Sequence, residues 1–358
     1  MHDGTDDALS RSQRTPRAVG QGWRLIRAHS RNTGLLVAII IALTVVSSQR
    51  PLYLSWDNAL VILLQMSFIG IAALTTTALI VGGNVDLSIG SLYALSAVVA
   101  AITAKHASPA VAVVAGLVTG LAMGWVNGLL VWRIRISPII VTLGSLTLVH
   151  GVVLLITDGY SVTGVPKAFS VFGQAKPLGL PMPVTLLAVL AVLSYVVLQR
   201  TTIGRHIFAM GGNREAADAA GLRVRRLVLG SFAVNGLFVG LVGVLAASRY
   251  GSADPTYGVG FELDVITAVI LGGVAFAGGE GGIGGVLLAV VFLGVIDSGV
   301  VSLGIDPFYT DVIKGSVLIL AVGLDQFSHE QRDRHRRRLA MRERQASDRL
   351  DDVAMSDA

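Results

Sequence analysis

From Asn58 to Val81 the chain reads NALVILLQMSFIGIAALTTTALIV, 24 residues without a charge. A helix needs about 20 mostly apolar residues to cross the hydrocarbon core of a bilayer, so this stretch predicts a spanning helix. It stops at Gly82-Gly83-Asn84-Val85-Asp86-Leu87-Ser88, and the apolar pattern resumes over Ile89–Ala104. Working outward, similar runs fall at Thr33–Ser48, Pro109–Trp132, Ser137–Thr157, Pro183–Leu198, Leu227–Ser248, Leu263–Ala277, Ile283–Val301 and Phe308–Gly323. The pattern predicts an all-α integral membrane protein of about ten transmembrane helices. Composition agrees: 53% of the 358 residues are apolar and only 14% charged, with a mean hydropathy of +0.69. Soluble proteins carry roughly 25% charged residues.

The net charge of +5 invites a nucleic-acid reading, but the placement of the charges argues for a membrane. Four polar segments hold 22 of the 28 Lys and Arg residues: the first 32 residues, the Arg133–Arg135 turn, Arg200–Arg226 and Arg332–Arg349. With an even number of spans all four fall on one side, as the positive-inside bias requires of the cytoplasm. Both termini are then cytoplasmic. The chain divides into an Arg-rich N-terminal segment (1–32), a transmembrane domain (33–325) with a large cytoplasmic loop (200–226), and a charged, disordered tail (326–358). The tail has no aromatic between His329 and Arg349 and suits solvent or anionic lipid rather than nucleic acid. No cleaved leader is expected, since the polar lead is long and no small-residue cleavage site follows the first apolar run.

No catalytic residues and no metal site emerge. Cysteine is absent, His150 and His206 stand alone, and no nucleophile elbow or phosphate loop occurs. The glycines of Gly278-Gly279-Glu280-Gly281-Gly282 fit close packing better than phosphate binding. Gly116, Gly120, Gly124 and Gly128 share one helix face and suit close approach of a second helix. The two halves also echo weakly. Asn127 and Asp297 each precede a proline and another apolar run, and Gly82–Ser88 resembles Gly258–Asp264. Two related halves of five spans would follow, as in many transporters.

Polar groups at membrane depth are costly and mark function by default. Asp86 and Ser88 either line a path for a polyhydroxy solute or cap the next helix; Asn127 and Asp297 are the other candidates for a translocation path. In the loop, Asn213 is an N-cap, followed by a short Ala-rich helix from Arg214 to Ala220 stopped by Gly221. Glu215 in its first turn suits the helix dipole. So short a helix is unstable alone, and its alanine face fits a groove in a partner protein.

Three ordered motifs resemble those of bacterial ATP-binding-cassette importer permeases of the ribose, xylose and galactose type. They are Gly83-Asn84-Val85-Asp86-Leu87-Ser88-Ile89-Gly90-Ser91; Thr201…Gly204-Arg205…Gly211-Gly212-Asn213-Arg214-Glu215-Ala216-Ala217; and Leu271-Gly272-Gly273…Gly278-Gly279-Glu280-Gly281. The resemblance covers about residues 32–325. It implies a multi-pass protein of the bacterial plasma (inner) membrane that carries a pentose or hexose. It further implies an ATPase subunit that binds the ATP, a periplasmic or lipid-anchored sugar-binding protein, and a second permease copy; the chain itself needs no cofactor. Gly204, Arg205, Gly211, Gly212, Asn213, Glu215, Ala216, Ala217 and Gly221 would form the ATPase-coupling element. Ser161–Pro181 and Arg249–Phe261 would receive the binding protein. A branched-chain amino acid permease shares this plan, and a secondary transporter or channel working alone is the rival from another class.

Overall fold

The computed structural model describes residues 16–306 and 308–323, with side chains from residue 32 onward. The first 15 residues of the Arg-rich segment and the charged tail lie outside the described residues. Helix α1 (Pro16–Gln49) is followed by a 3-10 turn (Pro51–Leu54), then α2 (Trp56–Val81), α3 (Ile89–His106), α4 (Pro109–Ile134) and α5 (Pro138–Thr157). The short α6 (Lys167–Gln174) leads to α7 (Met182–Arg200), α8 (Thr202–Gly212), α9 (Arg214–Ala219) and α10 (Val224–Tyr250). The chain continues through α11 (Phe261–Leu271) and α12 (Ile283–Ser302) to α13, residues 308–323. Eight of these helices are long and apolar enough to cross a membrane.

Local chemistry sets the helix ends. Ser55 accepts a hydrogen bond from the Asn58 amide and opens α2. Ser108 accepts one from Val111 ahead of Pro109, and Pro138 opens α5. Proline at a first helical position loses no hydrogen bond, because that amide has no partner inside the helix.

One of the ten expected spans is shorter than a crossing requires. Helix α11 has 11 residues, about 16 Å at 1.5 Å per residue. It ends at Leu271 rather than Ala277, because Gly272 and Gly273 stop it. The stop repeats the one that ends α2. Thr77-Ala78-Leu79-Ile80-Val81-Gly82-Gly83 and Thr267-Ala268-Val269-Ile270-Leu271-Gly272-Gly273 have the same form, with Gly83 at φ +76° and Gly273 at φ +89°. Asn84 donates to the Leu79 carbonyl and Gly83 to Ile80, while Val274 donates to Val269 and Gly273 to Ile270. This is the glycine-terminated helix end in which two late amides fold back on the last turn. The internal echo therefore pairs residues 77–84 with 267–274, and the pairing of Gly82–Ser88 with Gly258–Asp264 gives way. Gly82–Ser88 is a linker between the end of α2 and the start of α3, whereas Gly258–Asp264 includes the first turn of α11.

The glycine face of α4 packs against α10. A Cβ on Gly120 would collide with the Gly236 carbonyl, and one on Gly124 with the Phe232 carbonyl; Gly236 faces Gly120 and Gly124 in return. Gly116 and Gly128 meet Val244 and Phe232. Close packing, rather than a binding role, accounts for these glycines.

At one end of the bundle, Arg50 donates to the Ser302 carbonyl and Val162 pairs with Ala253 in an isolated antiparallel bridge. The other end carries Arg133, Arg135, Arg200, Arg205, Arg214, Arg223, Arg225 and Arg226.

Candidate functional site

The arginine-rich end holds the coupling candidates. Residues 202–212, read above as loop, form α8, with the Thr201 hydroxyl accepting from the Gly204 amide. Gly204 is buried because the turn from α7 into α8 is tight: a Cβ there would strike the Leu198 carbonyl. Asn213 caps α9, its side-chain oxygen accepting from the Ala216 amide at 2.9 Å. The helix ends at Ala219, and Gly221, at φ +80°, turns the chain away.

Ala217 anchors α9. It is 5% exposed, in a cluster with Leu79, Val131, Met210, Val228 and Phe232. Arg214 lies over the Trp132 ring at 5.5 Å. Arg205, Gly212, Asn213, Glu215 and Ala216 are exposed. One face of α9 is thus seated on the ends of α2, α4, α8 and α10, and the other is free for a partner. Beside it opens a cavity of about 430 Å³ bounded by Trp132, Arg135, Ser137, Arg214, Glu215 and Asp218.

Gly211 makes the deeper connection. The Gly279 amide donates to the Val81 carbonyl at 2.8 Å, joining the end of α2 to the loop after α11. A Cβ on Gly211 would overlap that carbonyl oxygen and press on the Gly279 nitrogen. Added Cβ atoms on Gly278 and Gly279 would in turn crowd Gly83, Gly211 and Gly212. Backbone therefore touches backbone where α8 ends and where the two repeated helix stops meet. No side chain separates the end of α8 from the end of α2 and the loop after α11 at this junction.

Three of the four path candidates lie together, fully buried. The Asp86 carboxylate accepts from the Ser88 amide at 2.9 Å, the Ser88 hydroxyl at 2.6 Å and the Asn235 side-chain amide at 3.2 Å. Asn127 donates to the Ser88 hydroxyl at 2.9 Å and accepts from Ser145 at 2.6 Å. Thr75 and Thr76 donate to Asn235. Asp86 holds its own backbone two residues on, a local turn bond rather than a direct N-cap. With 0% exposure at Asp86, Ser88, Asn127 and Asn235, the network is a brace joining α2, α4, α5 and α10. Asp297 stands apart from it, paired with Lys314 at 3.0 Å; Lys314 also meets Asp264 at 2.9 Å. Sequence reasoning missed Asn235, Thr75, Thr76, Ser145 and Lys314. The available signal was a polar residue inside an otherwise apolar run.

At the opposite end, the Ser161 hydroxyl and the Thr256 hydroxyl and amide all donate to Asp254. These bonds, Ser161 foremost, hold the Asp254 carboxyl below the usual carboxylate range.

Residues 58–322 match the family model described as the permease component of branched-chain amino acid transport systems. The chain belongs to that family. The ribose import permease protein of Escherichia coli (strain K12) is 37% identical over 295 residues, covering 81% of this chain and 92% of that one. The L-arabinose ABC transporter permease protein of Azospirillum brasilense is 37% identical over 318 residues, covering 88% and 92%. The galactose/methyl galactoside import permease protein of Escherichia coli (strain K12) is 36% identical over 316 residues, covering 83% and 94%. No solved structure matches. The match leaves the N-terminal segment and the tail outside and takes in every coupling candidate.

Proposed function

We propose that this chain is the membrane-spanning permease subunit of an ATP-binding-cassette importer and forms the translocation path for a pentose or hexose. A separate ATPase subunit, an extracytoplasmic sugar-binding protein and a second permease copy complete the machine. The chain crosses the inner membrane ten times, the short α11 being completed by the glycine-rich loop after it, with both termini in the cytoplasm; eight long helices and the arginines gathered at one end support this. ATP hydrolysis belongs to another polypeptide, since this sequence carries no phosphate loop.

The observation that carries the reading is the seating of α9: one alanine buried, the remaining surface exposed, and α8 leading from it to the Val81–Gly279 junction. Closure of an ATPase pair against α9 shifts the equilibrium between two arrangements of the bundle only if it binds one of them better. The glycine junction is the means of that preference. The family description also names branched-chain amino acids, and this is the second reading. The sugar names of the relatives at 36–37% identity favour the first.

Co-purification from detergent tests the reading. The wild-type chain brings an ATPase subunit with it, whereas Glu215→Arg, which reverses a charge on the free face of α9, loses that subunit while still inserting in the membrane. Retention of the subunit by the variant, with uptake intact, would refute the coupling role.

A further inference from the structure

Helices α11, α12 and α13 carry three ionisable groups in contact. Lys314 bridges Asp264 and Asp297 at 2.9 and 3.0 Å, and Asp311 lies one turn before Lys314. Asp297 is five residues from the end of α12 at Ser302, about 8 Å along a helix, and Asp264 is in the first turn of α11, so the cluster lies near the end of the bundle opposite the arginines. The trio carries a net charge of −1, and one oxygen of Asp297, Oδ1, is buried without a hydrogen-bond partner.

The cluster is not sealed. The side chains of Lys314, Asp264 and Asp297 are 14%, 23% and 26% exposed. That distinguishes it from the Asp86 network, which the protein closes off completely. A charged group facing hydrocarbon costs about 2.5–3.5 kcal/mol even on insertion scales, and the trio with both carboxylates ionised would bear that cost on its exposed side. Water on that side removes it.

We infer that Asp264, Asp297 and Lys314 line the aqueous passage, and that the exposed carboxylate lone pairs, rather than the buried Asp297 Oδ1, accept hydrogen bonds from the hydroxyls of the passing solute. This rests on the importer reading above, with the second permease copy forming the facing wall. It moves the path away from Asp86, Ser88 and Asn127 to the last three helices. A carboxylate accepts several bonds at once, which suits a polyol that presents many donors and no charge.

The absence of cysteine makes the test clean. In right-side-out membrane vesicles holding the full chain and its ATPase subunit, single-cysteine variants are treated with a membrane-impermeant sulfonated methanethiosulfonate. Asp297→Cys reports on the cluster itself. Leu318→Cys, one turn beyond Lys314, leaves the cluster intact. Leu148→Cys, mid-way along α5 and 64% exposed, is the lipid-facing control. Labelling of the first two at least tenfold faster than the control is expected; labelling at the control rate would overturn the inference. Uptake of labelled ribose, arabinose and galactose is then measured in Asp264→Asn and Asp297→Asn. The sugar that the wild type carries should enter at least tenfold more slowly, with thermal stability and ATPase co-purification unchanged; uptake at the wild-type rate would remove the hydrogen-bonding role. Failure of the wild type to carry any sugar would count against the importer reading, while the labelling rates still decide whether the passage runs here.

Discussion

Asn235 ties α10 to α2 and to the turn that carries Asp86 through one amide group. It donates to Asp86 and accepts from Thr75 and Thr76, and Asp86 in turn fixes Ser88, to which Asn127 donates. Interhelical hydrogen bonds in membranes average only about 0.6 kcal/mol each. Leaving buried partners unsatisfied costs more, about 1–3 kcal/mol for each group. Asn235→Ala and Asp86→Ala should therefore each lower stability by about 2–3 kcal/mol, read as a fall in Tm in detergent and accompanied by reduced uptake. Unchanged Tm in both would show that the network braces nothing. A different residue-scale expectation concerns Asp254, whose carboxyl is held below its ordinary value by Ser161 and Thr256. Stability from such a group is complete above its unfolded pKa of about 3.9 and is lost as pH falls through the lower folded value. The Val162–Ala253 pairing should thus persist from neutral pH to about 4 and open below it. Hydrogen exchange at those two amides, corrected for intrinsic rate, would show the opening; in Asp254→Asn this pH-dependent step should disappear. The polarity of Asp86, Ser88 and Asn127 was visible in the sequence. Their mutual contact was not, because it depends on helices 39 and more residues apart.

Helix boundaries were legible where punctuation is chemical. Ser108-Pro109, Pro138 and Asn213 begin helices as expected, and Gly221 turns the chain just past the end of α9. Residues 202–212 were less so. Gly204, Gly211 and Gly212 read as loop, yet they lie in α8, where close approach to Leu198 and Val81 demands the missing Cβ atoms of Gly204 and Gly211. The extent of α11 failed for the opposite reason: apolar composition continues to Ala277, but the paired glycines end the helix six residues earlier. At this scale the junction of α8 with the ends of α2 and α11 makes a sharp prediction. Gly211→Val should drive Val81 and Gly279 apart and reduce ATP-driven uptake at least tenfold. The free face of α9 is unaltered, so the ATPase should still co-purify. Loss of ATPase binding, or uptake at the wild-type rate, would each contradict a transmitting role. The crossing of α4 with α10 is a separate matter. Gly120→Val should destabilise by about 1–3 kcal/mol through overpacking, measurable as lost monodispersity and lower Tm.

For the whole molecule, hydropathy and arginine placement alone were enough to recognise a multi-pass membrane protein, and the Asn213-Arg214-Glu215-Ala216-Ala217 motif pointed to an importer subunit. The passage could not be read that way. Its location depends on which buried charges are closed over and which stay open, and that is a property of packing rather than composition. The internal echo also needed the structure, because its diagnostic feature is a pair of positive-φ glycines, Gly83 and Gly273, rather than the acidic residues nearby. The resulting picture has a motor-facing element at the arginine-rich end, a glycine junction behind it, and a polar path along the last three helices. The most direct measurement is sugar accumulation in proteoliposomes containing this chain with and without its ATPase subunit, supplied with binding protein and ATP. The account predicts uphill accumulation only with the ATPase present, abolished by deleting residues 214–221. Uphill transport by the chain without an ATPase, or unimpaired by that deletion, would contradict it.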